Sequence, residues 1–323
     1  MTSFGDPSTP PTSGERPGRI DAVPVRHPWR WVAIAVILVL TAMFANMVFT
    51  NDGFEWSFVF KVMVQSPVLH GLYIGTLLTT VLAMVVGISG GVLLAVMRLS
   101  TNPVLSGVAW LFTWFFRGVP RYVLLFTMGA LGVLFQKGLS LGVPFDWKIM
   151  ELIGLDGTLR FATLDANELF AGLFGAVVGL GLSEAAYMAE IARAGILSVD
   201  KGQAEAAQAL GMSSGRTMRR IVLPQAMRVI VPPTGNEVIA MVKDTSLLIA
   251  LPLIDELFFQ TSSIGSSTFK TFPSAVAASL WYLIITSVLM VGQFYLERHF
   301  GRGFGQKKPN RKRFARAAGL GRA

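Results

Sequence analysis

From Val62 to Met97 the chain contains no Asp, Glu, Lys or Arg. A bilayer core is crossed by roughly 20 apolar residues in a helix, because lipid offers no partner for an unpaired backbone N–H or C=O. This one stretch is long enough to commit the chain to a membrane. Trp31 to Phe49 is a second uncharged run, of 19 residues. It is longer than the apolar core of a signal peptide and lacks an evident small-residue cleavage site, so it is read as an uncleaved first span. With 52% apolar and 15% charged residues in 323, the whole chain suits a polytopic membrane protein.

Six spans can be drawn. The first is 31–49, the second lies within 62–97 and the third between 104 and 135. The fourth runs near 169–192, the fifth near 235–259 and the sixth near 273–296. The expected fold is an all-α polytopic membrane protein with six transmembrane helices. Residues 1–30 are rich in Pro, Gly, Ser and Thr, which predicts a disordered N-terminal tail.

The net charge of +9 could suggest a nucleic-acid partner, but its placement argues otherwise. Of 28 Lys and Arg residues, nine lie beyond Glu297, six lie from Arg193 to Arg228, and four lie in the first 30 residues. Six spans put both tails and the loop 193–233 on one side. Cytoplasmic segments carry the excess of Lys and Arg, so that side is expected to be the cytoplasm. The opposite side receives 50–66, 136–167 and 260–272. The second of these is the longest outer loop, and a short helix is expected around 148–152. No cysteine is present, which excludes disulfides and thiolate chemistry. His27, His70 and His299 share no ligand spacing, so no metal site is expected. No phosphate-binding Gly-x-x-x-x-Gly-Lys occurs, so the chain is not expected to hydrolyse ATP.

Arg117-Gly118-Val119-Pro120-Arg121 interrupts the third segment. Gly and Pro break the helical ladder, and two arginines are costly in lipid. A short helix at the cytoplasmic interface, a break, and a crossing from Tyr122 are expected. Gly71 and Gly75, Gly87 and Gly91, and Gly175 and Gly179 recur at spacing four. Such pairs let helix backbones approach closely.

Between the fourth and fifth spans lies GQAEAAQALGMSSGRTMRRIVLPQA, residues 202–226. Glu205-Ala206-Ala207 is followed after three residues by Gly211 and after nine more by Ile221-Val222-Leu223-Pro224. Alanine is the best helix former, so a smooth helix over Gln203–Leu210 with Glu205 projecting is expected. Gly211 can end it with a positive backbone angle. Met212–Arg220 would turn the chain back, and Pro224 would fix the angle of its return. Arg216, Arg219 and Arg220 also suit anionic headgroups, so an interfacial amphipathic helix is the alternative.

This pattern resembles the cytoplasmic coupling loop of the membrane subunits of bacterial ABC importers. Glu184-Ala185-Ala186-Tyr187, Pro232-Pro233, Asn236, Lys243-Asp244-Thr245-Ser246-Leu247 and Arg117-Gly118-Val119-Pro120 extend the resemblance to the polar amino acid branch of type I importer permeases. It covers roughly 68–300, a five-helix core with its coupling loop at 196–233. The helix 31–49 and the basic tail 301–323 are additions. The resemblance implies an ATP-driven importer for a polar or charged amino acid. Its partners would be a cytoplasmic ATPase dimer, a second permease subunit, identical or homologous, and an extracytoplasmic binding protein. ATP and magnesium would sit on the ATPase, with no cofactor on this chain. Glu205, Ala206, Ala207, Gly211, Ile221, Leu223 and Pro224 would couple to the ATPase. A secondary transporter or channel is the other reading, and would need its own coupling-ion site.

Arg121 and Leu124 depart from the family pattern, which has an aliphatic residue and a glutamine there. Glu184, Lys243 and Asp244 fall inside expected spans, where a lone charge costs at least ~2.5 kcal/mol. They are therefore expected to face the bundle interior, with Tyr187 one turn from Glu184. Asn236, Lys243 and Asp244, with Arg117 and Arg121, complete the candidate substrate pathway. Glu184 paired with Lys243 as a purely structural bridge is the competing reading.

Overall fold

The structure is a computed structural model describing residues 28–136, 138–170, 172–251 and 255–301. The expected tails at 1–30 and 301–323 lie outside the described residues, apart from 28–30 and 301. The chain divides into two units, and α1 (Pro28–Thr50) belongs to a different one from residues 51–301. Helix α1 begins three residues before the expected span and buries none of its side chains.

The second unit is built almost entirely of helices. A 3₁₀ turn at Asp52–Phe54 leads into α2 (Trp56–Met63) and then α3 (Ser66–Arg98). Pro67 sits at the start of α3, where its missing N–H costs nothing. The third segment breaks where Gly and Pro required. Helix α4 (Pro103–Gly118) is capped by Asn102, whose side chain accepts from the Val104 and Leu105 N–H groups. Val119 and Pro120 are extended, and α5 (Arg121–Leu134) follows.

The long outer loop holds more than a short helix. Strands β1 (Leu139–Gly142) and β2 (Arg160–Leu164) pair antiparallel, with Leu139 opposite Leu164 and Gly142 opposite Arg160. Helix α6 (Asp146–Ile153) lies between them, and Arg160 bridges to its buried Asp146 at 3.1 Å. After α7 (Ala166–Phe170), α8 (Gly172–Leu197) forms the centre of the unit.

Two expectations need correction. The fifth span does not run over 235–259. Helix α10 begins at Leu223 and ends at Asp244, after α9 (Lys201–Ala209). Thr245 and Ser246 then donate their hydroxyls back to the Val242 and Lys243 carbonyls. This satisfies the exposed C-terminal acceptors and tightens the chain into a 3₁₀ turn over Thr245–Ala250. The expected outer loop 260–272 is instead mostly α11 (Leu257–Thr268), ended by Phe269 in the left-handed region. Helix α12 (Thr271–Phe300) completes the chain described.

Small residues set the packing. A Cβ on Gly87 would sit 2.5 Å from Glu184 Cγ, and one on Gly91 2.4 Å from Met188 Cβ. These glycines therefore press α3 directly onto α8. Around that seam Ala83, Leu124, Leu125, Ala176, Leu180, Met241 and Leu248 form an apolar core. Leu124 is thus buried among apolar side chains. At the other end, Gly75 admits the backbone of Asp255, whose oxygen would lie 1.8 Å from an added Cβ.

Candidate functional site

Four of the seven candidate pathway residues meet in one buried cluster. Helix α8 carries Glu184, fully buried, and Tyr187 one turn later. Helix α10 delivers Asp244 at its last residue. Helix α5 delivers Arg121 at its first, immediately after the Gly118–Pro120 break. The Arg121 guanidinium donates through Nη2 to Glu184 Oε2 at 2.8 Å and through Nη1 to Asp244 Oδ2. Its Cζ lies 4.8 Å from the centre of the Tyr187 ring, a distance at which cation and ring attract. Arg117 approaches the same ring at 5.6 Å.

The competing reading, a Glu184–Lys243 bridge, is absent among the described residues. Lys243 is exposed, and Glu184 is held by Arg121 instead. Asn236 is exposed as well, so the helical face shared by Asn236 and Lys243 does not reach the cluster. The arginine that looked like a departure thus supplies the counter-ion. The break before it explains why: a helix that starts at Arg121 can turn its first residue inward.

The cluster is rich in acid. Glu237, half-buried one helical stretch before Asp244, is close enough to interact electrostatically with Arg121, Glu184 and Asp244. Glu184 Oε1 is buried and has no hydrogen-bond partner among the described residues. A buried unsatisfied charged oxygen is expensive, so this is the atom in the cluster with most to gain from another donor.

The loop 202–226 carries its own geometry. Asp200 caps α9 by accepting from the Gly202 N–H at 2.7 Å. Glu205 and Ala206 are exposed, while Ala207 is buried. Gly211 takes a φ of +79°; its N–H donates to Gln208 and that of Met212 to Ala207, at 2.9 and 3.0 Å. These two bonds form the paired C-terminal cap that needs a residue in the left-handed region. Instead of a turn, Ser214–Thr217 and Met218–Val222 are helical and run on into α10. Helix α9 packs on the Met218–Val222 turn. Ile221 is half-buried, and Leu223 and Pro224 are exposed. Glu190 and Arg193 pair with each other along α8.

Another buried carboxylate was not singled out by the sequence. Glu256, fully buried, caps α11 by accepting from the Phe258 and Phe259 N–H groups at 2.7 and 3.0 Å. Thr76 at 3.1 Å and Tyr282 at 2.6 Å donate to its other oxygen. The signal was the Gly71–Gly75 pair, which opens the groove for this backbone, but its occupant lies far along the chain.

Residues 87–302 match the family model described as "Binding-protein-dependent transport system inner membrane component". The chain belongs to that family. It is the membrane-spanning subunit of a multi-pass transporter whose ATP hydrolysis resides in a separate subunit and which works with a binding protein. The permease is 46% identical to the arginine transport system permease protein ArgU of Corynebacterium glutamicum, over 91% of this chain and 87% of that one. It is 34% identical to the glutamate/aspartate import permease protein GltK of Escherichia coli, over 76% and 97% of the two chains. A solved amino acid ABC transporter, titled as crystallised with histidines, matches with a TM-score of 0.57 at 27% identity, over 77% of this chain and 99% of that one. The sequence expectation of an all-helical ABC importer permease stands, with one small hairpin added.

Proposed function

We propose that this permease forms the pathway for a polar or charged amino acid, and within that class for one with a cationic group. The carrying observation is a guanidinium seated between two carboxylates, buried Glu184 and half-buried Asp244, with an aromatic ring alongside. That is the set of partners an ammonium or guanidinium requires when it leaves water. Similarity to a permease named for arginine supports the same reading.

Glu205, Ala206, Ala207 and Gly211 form the docking surface for an ATPase dimer that carries ATP and magnesium. The exposed, capped helix α9 supports this, since Glu205 projects from a short smooth surface. Ile221, Leu223 and Pro224 tie that helix to α10. A second permease subunit, identical or homologous, completes the membrane part. An extracytoplasmic binding protein delivers the amino acid, and both termini are cytoplasmic.

Uptake of labelled arginine, lysine, glutamine and glutamate by cells carrying the permease with its co-encoded partners tests the substrate reading. Glu184→Gln and Asp244→Asn are expected to lower uptake of the cationic amino acids severalfold. Unchanged uptake in both variants would sink the pathway assignment.

A further inference from the structure

The cluster contains a cation site that is already filled by the protein itself. Arg121 is 12% exposed at its side chain, so its guanidinium is nearly dry. It makes one hydrogen bond to each of two carboxylates on two other helices. These are the contacts by which a free guanidinium or ammonium would be recognised there. An incoming cation and Arg121 therefore compete for the same oxygens.

We propose that Arg121 is a tethered stand-in for the transported cation: it pairs with Glu184 and Asp244 while the pathway is empty and is displaced when a cationic amino acid enters. The inference rests on the pathway reading above. Three observations favour a displaceable arginine over a fixed structural one. Arg121 is the first residue of α5, where the partial positive charge of the helix end disfavours a cation. The arginine is thus held by the carboxylates and opposed by its own helix. Next, the backbone before it is extended at Val119 and Pro120, and a Cβ on Gly118 would meet nothing within 4 Å. The mount is a joint with room around it. Finally, Arg121 leaves Glu184 Oε1 without a donor, and Glu237 nearby makes no hydrogen bond or ion pair among the described residues. The acid in the cluster exceeds what one guanidinium can satisfy. Glu237 offers a second acceptor for a displaced Arg121, and Tyr187 a ring over which it can move.

The idea explains how acidic residues can wait in a membrane without substrate. Unpaired, two neighbouring buried carboxylates would be costly. With Arg121 between them both carboxylates have a partner in the empty state, and cargo exchanges one cation for another. All amino acids carry an α-ammonium, but only a cationic one brings a second cation, so it alone can occupy both carboxylates that Arg121 leaves.

The test is binding of labelled L-arginine to the purified transporter, permease with its ATPase and without binding protein, in the wild type and in Arg121→Leu, Arg121→Gln and Arg121→Lys. Removing the internal competitor should tighten arginine binding by at least ~10-fold, the ratio that 1.4 kcal/mol gives. Arg121→Lys should lie between. Folded Arg121→Leu or Arg121→Gln with binding equal to or weaker than wild type, or undetectable in all, overturns the proposal. A wild-type readout covers the case in which neither variant folds. Phenylglyoxal labelling of Arg121, followed by mass spectrometry, should accelerate severalfold when L-lysine saturates the transporter, and an unchanged rate refutes displacement. Glu184→Gln combined with Asp244→Asn separates the two ideas. If that variant binds arginine like the wild type, the pathway reading fails and takes the stand-in with it. If it loses binding while Arg121→Leu gains none, the pathway stands and only the stand-in falls.

Discussion

Gly87→Ala probes whether close helix contact positions the buried carboxylate. A Cβ on Gly87 would lie 2.5 Å from Glu184 Cγ and 2.7 Å from Glu184 Cβ. Carbon atoms in comfortable contact are roughly 3.5–4.0 Å apart. Either α3 and α8 separate by about 1 Å, or Glu184 leaves its rotamer. Both draw Oε2 away from Arg121, now 2.8 Å distant. Overpacking of this kind costs ~1–3 kcal/mol. Weakening a hydrogen bond to a charged group adds ~1.5 kcal/mol or more. The better helix propensity of alanine offsets about 1 kcal/mol. The net loss is about 2 kcal/mol, which for a chain of this size lowers the melting temperature by about 3 °C. Gly107→Ala is the control, since a Cβ there meets nothing within 4 Å. Melting of the purified transporter should fall for the first variant and hold or rise for the second. Uptake per folded molecule should drop only for Gly87→Ala. A Gly87→Ala protein with wild-type melting and full uptake would falsify the claim that this seam holds Glu184 in place.

Further outcomes are expected elsewhere. Glu205→Lys should abolish uptake and co-purification of the ATPase while membrane insertion stays normal; full uptake with the reversed charge would end the docking assignment. A reporter fused after Ala323 should be active only in the cytoplasm and one inserted near Gly157 only outside, and the reverse for the loop would mean an even number of crossings before it. Gln293→Leu removes the donor to the Pro232 carbonyl, now 2.8 Å away. It should leave ATP hydrolysis largely intact and cut uptake severalfold, read as molecules imported per ATP; an unchanged ratio would show that this contact plays no part in transport.

The sequence revealed the parts governed by local rules. Long apolar runs gave α1, α3, α8 and α12 within a few residues, because lipid allows a crossing chain little other than helix. The break at Gly118–Pro120 and the cap at Gly211 followed from backbone chemistry alone. What could not be read was pairing across distance. Glu184 is 63 residues from Arg121 and Asp244 is 123, and charge cost says only that each needs a partner, not which one. Lys243 was the nearer guess on the wrong helical face. The end of α10 was missed because two hydroxyls, Thr245 and Ser246, decided it against a continuing apolar run. The hairpin was missed because strands of four and five residues carry too little alternation to separate from loop.

The two regions of interest are joined by a single element. From Ser214 to Asp244 the chain is helical without a gap, passing through the wide turn at Met218–Val222 into α10. At 1.5 Å per residue that run spans about 45 Å. One end packs beneath the helix that presents Glu205; the other is the carboxylate that holds Arg121. A stiff rod must either deliver a displacement to its far end or absorb it at a weak point. The weak point is visible: Pro232 and Pro233 stand inside the helix and donate no hydrogen bond. Gln293 of α12 donates to the Pro232 carbonyl, and Gly235 lies so close to the same side chain that a Cβ would meet its Oε1 at 1.8 Å. The rod is thus clamped where it is softest, which favours pivoting over bending. A pivot there would swing Asp244 when the cytoplasmic end moves. Asp244 is also the more exposed of the two acids, at 27% against 0% for Glu184. Motion of α10 would therefore open the Arg121 contact on the more solvent-exposed side, while the Glu184 contact would stay anchored on α8.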